Sequence, residues 1–581
     1  MFMIAGGGAM HLNDSFGTCP GLEYICFQHE QAAAIAAEGY YRSSGRMPVV
    51  NVTSGPGGTN TLTGVIGQWL DSIPAIYISG QVKQETTISA CPDLYLRQLG
   101  DQEINIVDIV RPVTKYAHMV RKTKEIGYHL RKAYYLATHG RPGPVWLDIP
   151  LDIQGAYLDE AELISYNPDE DALQIDQSVW HRQLADLFER IKQAKRPVVM
   201  AGHGIRLAGA TDEFLHVVER LGVPVVTAIC GHDLIPSDHP LYFGRPGICG
   251  DRLGNFVVQN SDLLIAIGAR LGIRQISYNY SGFAPDAYHV MVDIDLAELK
   301  KPTLRIDMPI HADAKDFLDQ MLLCCNETPI AQKTEWLEWC RNGKGTLPEI
   351  ISENVHRKEF INSYEFADLL FKQLPENAVV VTGNGTAYTG TFQVMKIKKG
   401  VRVFTNQACA SMGYDVPAAI GAAIADPEKK VILITGDGSI QLNIQELETI
   451  VAYRLPIKIF VLNNDGYLAI RTTQDAYFEG RHIGSDRSGK LFLADILKIA
   501  GAFGIPSERI SGNDLLSINI KNILNTSGPI FCEVMMDPKQ TLYPKLSSSV
   551  GNDGKMISSS LENMFPFLDS ATYQSHMVKK K

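Results

Sequence analysis

The stretch VILITGDGSIQL, residues 431–442, decides the fold class of this chain. Its first five residues are typical of a buried strand, and the loop around Asp437 then leads into a helix whose start we expect Asn443 and Glu446 to cap. A second apolar strand ends at Asn463-Asn464. Strand, helix and strand at this spacing predict a parallel α/β sheet with both polar side chains at one loop edge.

This loop edge suits a hard cation that carries a diphosphate. Glycines let the backbone approach phosphate closely, and the free amides of a loop and a helix start favour an anion. Magnesium usually takes one or two protein side chains plus phosphate oxygens, so Asp437, Asn464 and the carbonyl of Gly466 would complete its ligands. Gly436-Asp437-Gly438 alone could equally be a tight turn without a ligand, and the Asn-Asn pair favours the cation site.

A second constellation lies near the other end of the chain. Residues 24–27 indicate a short strand and residues 31–41 an alanine-rich helix, so Glu30 stands at a strand-to-helix junction. Another strand, residues 49–52, leads into the glycine-rich turn TSGPGGTN. A lone Glu at a helix start is usually a solvated partner of the helix dipole, but its place before this turn favours a functional role.

These segments together resemble the thiamine diphosphate enzymes, and most closely the acetolactate synthase group. The GDG loop followed by Asn-Asn is specific to thiamine diphosphate binding; further matching stretches, spread over most of the chain, are HEQAAAIAAEGYYRSSG, VTSGPGGTN, ISGQV, RPGPVWLDIP and MGYDVPAAIGAAIA. The resemblance implies an α/β fold of three doubly wound parallel-sheet domains. The first would bind the pyrimidine of the cofactor, the second is the central domain, and the third would bind the diphosphate. The resemblance also implies thiamine diphosphate and Mg²⁺ as cofactors.

The resemblance assigns roles to individual residues. Glu30 matches the glutamate that hydrogen-bonds the aminopyrimidine ring and favours the imino tautomer that takes the proton from the thiazolium carbon. Met412 matches the apolar residue under the bent cofactor, and the carbonyl of Ala410 would accept from the exocyclic amine. Gln102 aligns with a glutamine at the substrate end of the pocket. Without the motifs, Met412 would be core filling and Gln102 a surface residue.

Two larger sets complete the implied site. The cofactor would also contact two diphosphate loops and the helix start behind them, through Gly383, Asn384, Gly385, Gly436, Asp437, Gly438, Ser439, Asn464, Gly466, Tyr467 and Leu468. The weaker substrate candidates are Gly8, Ala9, His11, Asp101 and Arg471.

Composition is compatible with a large enzyme and excludes other classes. The chain has 581 residues, 45% of them hydrophobic, which is enough for three or four domains. A net charge of −10 offers no basic stripe for a nucleic-acid partner. No apolar run of about 20 residues suggests a membrane span, and ten irregularly spaced cysteines indicate reduced thiols in a cytoplasmic protein.

We expect three units along the chain: residues 1–158 as the pyrimidine-binding domain, 185–325 as the central domain and 359–545 as the diphosphate-binding domain. Polar stretches at 159–171 and 333–358 read as linkers, and residues 546–581 as a Ser-rich tail. Residues 1–8 already resemble a first strand entering its loop, so we expect an upstream start or a truncation that exposes apolar surface. In the family two subunits share each site, so the minimum active form would be a homodimer, and a tetramer is also compatible.

The central domain raises the question of FAD, which the acetolactate synthases bind there. The chain keeps Gly268-Ala269-Arg270 and Arg274 but carries Cys230-Gly231-His232-Asp233 where the flavin loop of the family differs. Thr473 replaces a tryptophan that helps to select 2-ketobutyrate, and Asp101 stands where an apolar aromatic residue is expected. Both changes favour a more polar acceptor pocket.

Three functions are therefore weighed. The first is a decarboxylating carboligase that converts two pyruvate molecules into 2-acetolactate and carbon dioxide. The alternative transfers the acetyl unit of pyruvate to a keto-sugar or another polar carbonyl acceptor in polysaccharide biosynthesis, and only Arg471 and Asp101 support it. The third is a non-catalytic homologue, which the joint presence of Glu30, Asp437 and Asn464 disfavours.

Overall fold

A computed structural model describes residues 1–350, 359–550 and 556–578. Its longer strands form three separate sheets, each entirely parallel, with helices between successive strands. This arrangement confirms the α/β fold class. The carboxyl ends of the strands in each sheet therefore face the loops in which ligands of such folds usually bind.

The first unit contains a six-stranded sheet of order β2-β1-β3-β4-β6-β5. The strand predicted at residues 49–52 is confirmed as β3, and the alanine-rich helix α2 begins at Glu30 and ends before Gly45, whose φ of +70° suits glycine. The strands are β1 Phe2–Met3, β2 Ile25–Cys26, β3 Val49–Val52, β4 Ala75–Gln81, β5 Tyr116–Met119 and β6 Pro144–Pro150. The helices are α1 Met10–Thr18, α2 Glu30–Ser44, α3 Pro56–Thr59, α4 Leu62–Asp71, α5 Ile106–Val110, α6 Ile126–Thr138 and α7 Leu151–Gln154, with 3₁₀ turns at Gly7–Ala9, Gln84–Thr86, Ile88–Ala90, Pro92–Leu94, Arg111–Val113 and Thr123–Glu125.

The central unit has a five-stranded sheet of order β11-β10-β9-β7-β8. Its strands are β7 Pro197–Ala201, β8 Val225–Thr227, β9 Leu263–Ile267, β10 Tyr288–Asp293 and β11 Met308–His311. Its helices are α8 Gln177–Gln193, α9 His203–Leu207, α10 Thr211–Leu221, α11 Arg252–Gln259, α12 Ile273–Ile276, α13 Leu296–Leu299, α14 Ala314–Glu327 and α15 Thr334–Thr346. The 3₁₀ turns lie at Glu160–Glu162, Pro168–Asp171, His232–Leu234 and Tyr280–Gly282.

The third unit repeats the strand order of the first. Its six-stranded sheet runs β13-β12-β14-β15-β17-β16, so the two sheets agree when each unit's strands are counted from its own first strand. The strands are β12 Val379–Thr382, β13 Arg402–Phe404, β14 Val431–Gly436, β15 Lys458–Asn463, β16 Ser507–Ile510 and β17 Ile530–Met535. The helices are α16 Ser363–Gln373, α17 Thr386–Val394, α18 Asp415–Ala425, α19 Leu447–Ala452, α20 Leu468–Tyr477, α21 Ile496–Ala502 and α22 Leu516–Asn525, with a 3₁₀ segment at Ile440–Glu446.

Two stretches expected outside the units pack against the central one. Helix α15 buries Trp336, Leu337 and Cys340 in the central core, so the prediction of a linker is wrong for this part; residues 351–358 lie outside the described residues. In the tail, β18 Ser548–Val550 pairs antiparallel with β19 Met556–Ser558, and α23 Ser570–Ser575 follows. Leu561 of the tail belongs to the same core. We infer that the central domain includes α15 and part of the tail, while the other predicted bounds stay predictions.

The first and third units pack on each other through α2 and α18. A Cβ on Gly421 would lie 1.9 Å from the carbonyl oxygen of Ala36, and one on Gly39 would lie 2.1 Å from that of Ala418. The small residues therefore let two helix backbones touch, which explains why both helices are so rich in Ala and Gly. Helix α2 begins at Glu30, so this contact fixes the Glu30 end relative to the third unit.

The capping box expected at residues 443–446 does not form. Asn443 has a non-helical φ of −134°, and its side chain donates to the carbonyl of Gly413 at 2.7 Å and to Oε1 of Gln31 at 3.2 Å. The carboxylate of Glu446 accepts from the backbone N–H of Gln28 at 3.1 Å. The prediction is wrong because partners in the first unit and in a neighbouring loop hold both side chains, and α19 begins only at Leu447.

Candidate cofactor site

Three loops that follow the neighbouring strands β12, β14 and β15 lie at the carboxyl edge of the third sheet. The strands are adjacent and parallel, and Gly436 at the end of β14 is in register with Leu462 on β15. The loops contain residues 383–385, 437–439 and 464–467. The structure thus brings together the residues that the sequence assigned to a cation and a diphosphate.

Asp437 provides a buried carboxylate at this edge. Its Oδ1 accepts from the backbone N–H of Gly438 at 2.9 Å, and its Oδ2 accepts from that of Gly466 at 2.9 Å. Burial raises the pKa of Asp437 to about 6, although the two amides and the charge of Arg471 oppose the rise. A cation beside the carboxylate would stabilise its ionised form.

Asn464 offers a second oxygen. Its Nδ2 donates to Oγ1 of Thr386 at 3.2 Å, and its Oδ1 is buried without a hydrogen-bond partner among the described residues. Buried polar atoms are rarely left in this state. Since Mg²⁺ prefers oxygen ligands and uses few protein side chains, the unpartnered oxygen and the carboxylate of Asp437 fit such an ion. The side chain of the preceding residue, Asn463, has a structural partner instead, since its Nδ2 donates to Oε1 of Glu533 at 2.6 Å.

The glycines of these loops divide into two kinds. Apart from the atoms of its own chain neighbours, a Cβ added to Gly436 or to Gly385 would meet no atom of the described residues within 4 Å, so both border open space. A Cβ on Gly438 would lie 2.2 Å from the ring of Tyr467, and one on Gly383 would lie 2.3 Å from the carboxylate of Asp415. Gly436 and Gly385 thus leave room for a ligand, whereas Gly438 and Gly383 let the protein pack on itself.

The remaining third-unit candidates surround the same edge. The carbonyl of Ala410, a residue with φ of +53°, accepts from Nδ2 of Asn384 at 3.0 Å. A carbonyl has two lone pairs, so this bond leaves room for the exocyclic amine that the family resemblance places there. Oγ of Ser439 accepts from the N–H of Gly413 at 3.0 Å. Met412 is half-buried beside these residues in sequence, and Leu468 is buried at the start of α20.

Glu30 is the first residue of α2. His29 caps the helix, since its Nδ1 accepts from the N–H of Gln31 at 3.1 Å. Oε2 of Glu30 accepts from Nδ2 of Asn60 at 3.0 Å, and the carboxylate is otherwise partly open to solvent. Asn60 closes the glycine-rich turn, so the turn orients the carboxylate.

Gln102 lies beside the same turn. Its φ is +58°, and its carbonyl oxygen would be 2.5 Å from a Cβ on Gly55, which itself has φ of +61°. The side chains of Asp101 and Gln102 are exposed. The glycine-rich turn, which also carries Glu30's partner Asn60, therefore packs on the backbone of Gln102 through Gly55, while the side chain of Gln102 is exposed.

The first loop of the chain approaches this turn as well. The N–H of Gly8 donates to Oγ1 of Thr53 at 3.0 Å, and Ala9 is buried. His11 is exposed on α1, and its Nε2 would be 3.1 Å from a Cβ on Gly155, after α7. The structure thus places Gly8 against the glycine-rich turn and His11 beside a different segment.

Arg471 does not present its guanidinium to a substrate. The side chain is buried and donates to four backbone carbonyls, those of Asn464, Asp465, Ser485 and Pro538. The substrate contact stays a prediction, and this geometry disfavours it because the protein already uses the donors that the contact would require. The signal that could have shown this is the position of Arg471 on the buried side of a helix that begins directly after the Asn464 loop.

Sequence reasoning also missed three residues that hold the site. Asn60 binds Glu30, Thr386 orients Asn464, and Asn443 joins Gln31 to the loop of Gly413. Asn60 and Thr386 end the glycine-containing turns already singled out, which was an available signal. Asn443 had no such signal, because its partners come from distant parts of the chain.

A separate cavity of about 610 Å³ opens at the carboxyl ends of the central strands. Gly204, Gly268, Arg274 and Asp293 line it from the central unit, and Asp71 and Gln407 from the other two units. Its size is that of a typical ligand cavity. Burial raises the pKa of Asp293 to about 6, so a ligand hydroxyl would find an acceptor or a donor there.

The unusual segment Cys230-Gly231-His232-Asp233 lies next to this cavity. Cys230 lines it with φ of +69°, whereas Asp233 turns away and pairs with Arg206 at 3.0 Å and with Arg402 of the third unit. Although burial raises the pKa of Asp233, the two arginines hold it well below its ordinary value. The segment thus joins the central unit to the third.

Comparisons with known proteins agree with this arrangement. Three family models match: the N-terminal TPP binding domain of thiamine pyrophosphate enzymes at residues 1–108, their central domain at 184–321 and their C-terminal TPP binding domain at 383–534. The acetolactate synthase large subunit of Lactococcus lactis is 32% identical over 95% of this chain and 92% of its own length. Acetolactate synthase isozyme 3 large subunit of Escherichia coli is 31% identical over 96% of each chain. Within the described ranges, no helix has the length and apolarity required to cross a membrane.

Proposed function

Since the chain belongs to the family of thiamine pyrophosphate enzymes, we propose that it is a Mg²⁺-dependent carboligase that converts two pyruvate molecules into 2-acetolactate and carbon dioxide. The observation that carries the proposal is the buried carboxylate of Asp437 at the same sheet edge as Oδ1 of Asn464, which has no hydrogen-bond partner among the described residues, in a chain whose relatives are named acetolactate synthase. A non-catalytic homologue would have no need to keep this pair ready for a cation.

Asp437, Asn464 and the carbonyl of Gly466 would hold Mg²⁺, and the open sides of Gly436 and Gly385 would admit the diphosphate. Burial disfavours the charge on Asp437, so the cation and the carboxylate stabilise each other at this edge. When bound, thiamine diphosphate supplies the nucleophilic carbon and the electron sink. The chain's own task here is to bind and orient the charged end of the cofactor.

Glu30 would hold and move a proton at the aminopyrimidine nitrogen. Its hydrogen bond from Asn60 leaves the other carboxylate oxygen for the ring, and the His29 cap fixes the helix start that carries it. Met412 would support the bend of the cofactor, and the carbonyl of Ala410 would orient the exocyclic amine. Gln102, whose side chain is exposed beside the same turn, would contact the substrate.

The active form would be a homodimer or a tetramer. The family resemblance implies that the residues around Glu30 of one subunit face the residues around Asp437 of another. In this chain Glu30 is partly exposed, and Gly436 beside Asp437 borders open space. A second copy would close both sides and exclude water from the reacting carbon.

Pyruvate is favoured as the acceptor. The alternative, a keto-sugar acceptor, depended on Arg471 and Asp101, and the guanidinium of Arg471 is engaged by four carbonyls. Thr473 also bonds back to the carbonyl of Ala469 at 3.2 Å and lies exposed on α20. Only Asp101 still supports the alternative, so we retain the simpler acceptor.

The central cavity would hold FAD. Its position at the carboxyl ends of β7, β9 and β10 and its volume of about 610 Å³ suit a nucleotide. Asp293 would meet a ribose hydroxyl, and Arg274 would meet a phosphate. Release of a yellow, fluorescent compound on denaturing the purified protein would support this assignment. If protein that has been incubated with FAD and then freed of unbound FAD by gel filtration releases no such compound, the assignment is contradicted.

Calorimetric titration with thiamine diphosphate, with and without Mg²⁺, tests the cofactor site. We expect binding that requires Mg²⁺ in the natural chain and is at least about 100-fold weaker in Asp437→Asn, because a direct metal ligand is lost. Asp465→Asn is the matched control, since it removes one exposed carboxylate from the same edge and should bind normally. Equal affinities for both variants would contradict the assignment of Asp437.

A further inference from the structure

Arg471 is a buried cation with an unusual set of partners. The residue is 6% exposed, and no ion pair among the described residues includes it. Nη1 donates to the carbonyl of Asp465 at 2.6 Å and to that of Ser485 at 3.4 Å. Nη2 donates to the carbonyl of Asn464 at 2.6 Å and to that of Pro538 at 3.1 Å. A buried charge whose direct hydrogen-bond partners are all backbone carbonyls is costly, so its position calls for a reason.

Two of the four acceptors, the carbonyls of Asn464 and Asp465, belong to the turn that carries the metal candidates. Asp465 and Gly466 both have positive φ, +59° and +118°, so the turn is held in the left-handed region, which Asp tolerates better than most residues but at some cost in free energy. The guanidinium takes the carbonyls of Asn464 and Asp465, and the N–H of Gly466 donates to Asp437. The carbonyls of Asn464 and Asp465 are thus engaged by Arg471, and the carbonyl that follows them in the turn, that of Gly466, is the proposed ligand of the cation.

The other two acceptors connect this turn to its surroundings. The carbonyl of Ser485 also accepts from the N–H of Tyr467 at 2.8 Å, and a Cβ on Gly466 would lie 2.4 Å from it. Pro538 follows β17, the strand next to β15. One guanidinium therefore joins the Asn464 turn to two other segments of the third unit.

We infer that Arg471 is a positioning residue for Mg²⁺, which acts by fixing the turn at residues 464–466 so that Asn464 and Gly466 face Asp437. The inference rests on the proposed function, because it takes these residues as the metal ligands. It goes beyond that function, since it gives a role to a side chain that touches neither the metal nor the substrate.

The role requires an arginine. Its planar fork directs several donors at fixed angles and reaches four carbonyls, whereas a lysine ammonium is a single point with three donors. Lysine would keep the charge but lose at least one carbonyl, and the turn would move toward more common backbone angles. Removing the partner of a metal ligand typically costs 10–100-fold in metal affinity.

Strand β15, which leads into the Asn464 turn, provides a matched control at its other end. Lys458 begins β15, is 2% exposed and donates to the carbonyls of Thr526 and Gly528. It is therefore also a buried cation held by backbone carbonyls in this unit. It differs from Arg471 in lying at the amino end of the strand, away from the Asn464 turn.

The test compares Arg471→Lys and Lys458→Met with the natural chain. The half-saturating Mg²⁺ concentration is measured in two ways, from calorimetric binding of thiamine diphosphate and from pyruvate consumption at saturating thiamine diphosphate, together with kcat at saturating Mg²⁺ and the melting temperature. We expect Arg471→Lys to raise the half-saturating Mg²⁺ concentration at least about tenfold, with kcat restored to within about threefold at high Mg²⁺. Lys458→Met should lower the melting temperature and leave the half-saturating Mg²⁺ concentration within about twofold.

The inference is overturned if Arg471→Lys needs no more Mg²⁺ than the natural chain, or if Lys458→Met needs as much more. If Arg471→Lys does not fold, Arg471→Gln is measured in its place, because it removes the buried charge while keeping a donor for the carbonyls. Failure of the proposed function is recognised separately: the natural chain itself would then bind no thiamine diphosphate with Mg²⁺.

Discussion

Gly436→Ala separates the fold from the cofactor site at a single position. Gly436 ends β14, and a Cβ added there would meet no atom of the described residues within 4 Å apart from those of its two chain neighbours. Its φ is not among the positive values, so alanine adopts the same backbone angles without strain. In the protein without cofactor the substitution should leave the free energy of unfolding unchanged or raise it by about 0.4–1 kcal/mol, because alanine has less freedom in the unfolded chain.

The same methyl group would occupy the space assigned to the diphosphate. We expect the dissociation constant for thiamine diphosphate at saturating Mg²⁺ to rise at least about tenfold, which corresponds to about 1.4 kcal/mol. Gly438→Ala is the comparison, since its Cβ would lie 2.2 Å from the ring of Tyr467, well inside the ordinary contact distance. That crowding should lower the free energy of unfolding by about 1–3 kcal/mol.

Urea unfolding without cofactor and calorimetric titration with cofactor measure the two effects. The expected pattern is a stable Gly436→Ala that binds weakly and a Gly438→Ala that is already less stable before cofactor is added. If Gly436→Ala binds thiamine diphosphate as tightly as the natural chain, the open side of Gly436 does not face the diphosphate. If it loses as much stability as Gly438→Ala, the reasoning about free space is refuted.

Three further outcomes are expected. Glu30→Gln should slow carbon dioxide release from pyruvate by about 10²–10⁴-fold while cofactor affinity measured by calorimetry is retained, and unchanged release would refute the proton role. Burial raises the pKa of Asp148 to about 7, although Ser79 and Gln81 donate to its carboxylate. Because the pKa of Asp148 is higher in the folded than in the unfolded chain, its stabilising effect is complete below the unfolded pKa and is lost as the pH rises through 7. The difference in the free energy of unfolding between the natural chain and Asp148→Asn, measured in urea, should therefore fall by up to ~4 kcal/mol between pH 4 and 8. A difference that stays constant with pH would contradict this. Gly421→Ala should lower the melting temperature, because its Cβ would lie 1.9 Å from the carbonyl oxygen of Ala36 on α2. A melting temperature equal to that of the natural chain would show that α2 and α18 can move apart at no cost.

Local patterns were sufficient to predict the strand ends that carry Asp437 and Asn464. Each follows a short apolar strand, and the parallel sheet brings neighbouring carboxyl ends together whatever the distant chain does. Glu30 was predictable for the same reason, since an alanine-rich helix with a polar cap has a well-defined first residue. The positions of these residues needed only the period of the elements on either side, whereas the role of Glu30 came from the family resemblance.

The errors concern side chains whose partners are distant in sequence. Asn443 and Glu446 match a helix cap, but they bind Gln31 and Gln28 of the first unit instead. The polar composition of helix α15 predicts a linker, whereas Trp336 and its neighbours cover the central core. Only the packing of units on each other decides such cases.

Incubation of the purified protein with isotopically labelled pyruvate, thiamine diphosphate and Mg²⁺, without any other carbonyl compound, tests the central claim most directly. Our account predicts one carbon dioxide and one 2-acetolactate for every two pyruvate molecules consumed, and neither product when Mg²⁺ is removed by a chelator. Tight binding of both cofactors without formation of acetolactate from pyruvate alone would contradict it.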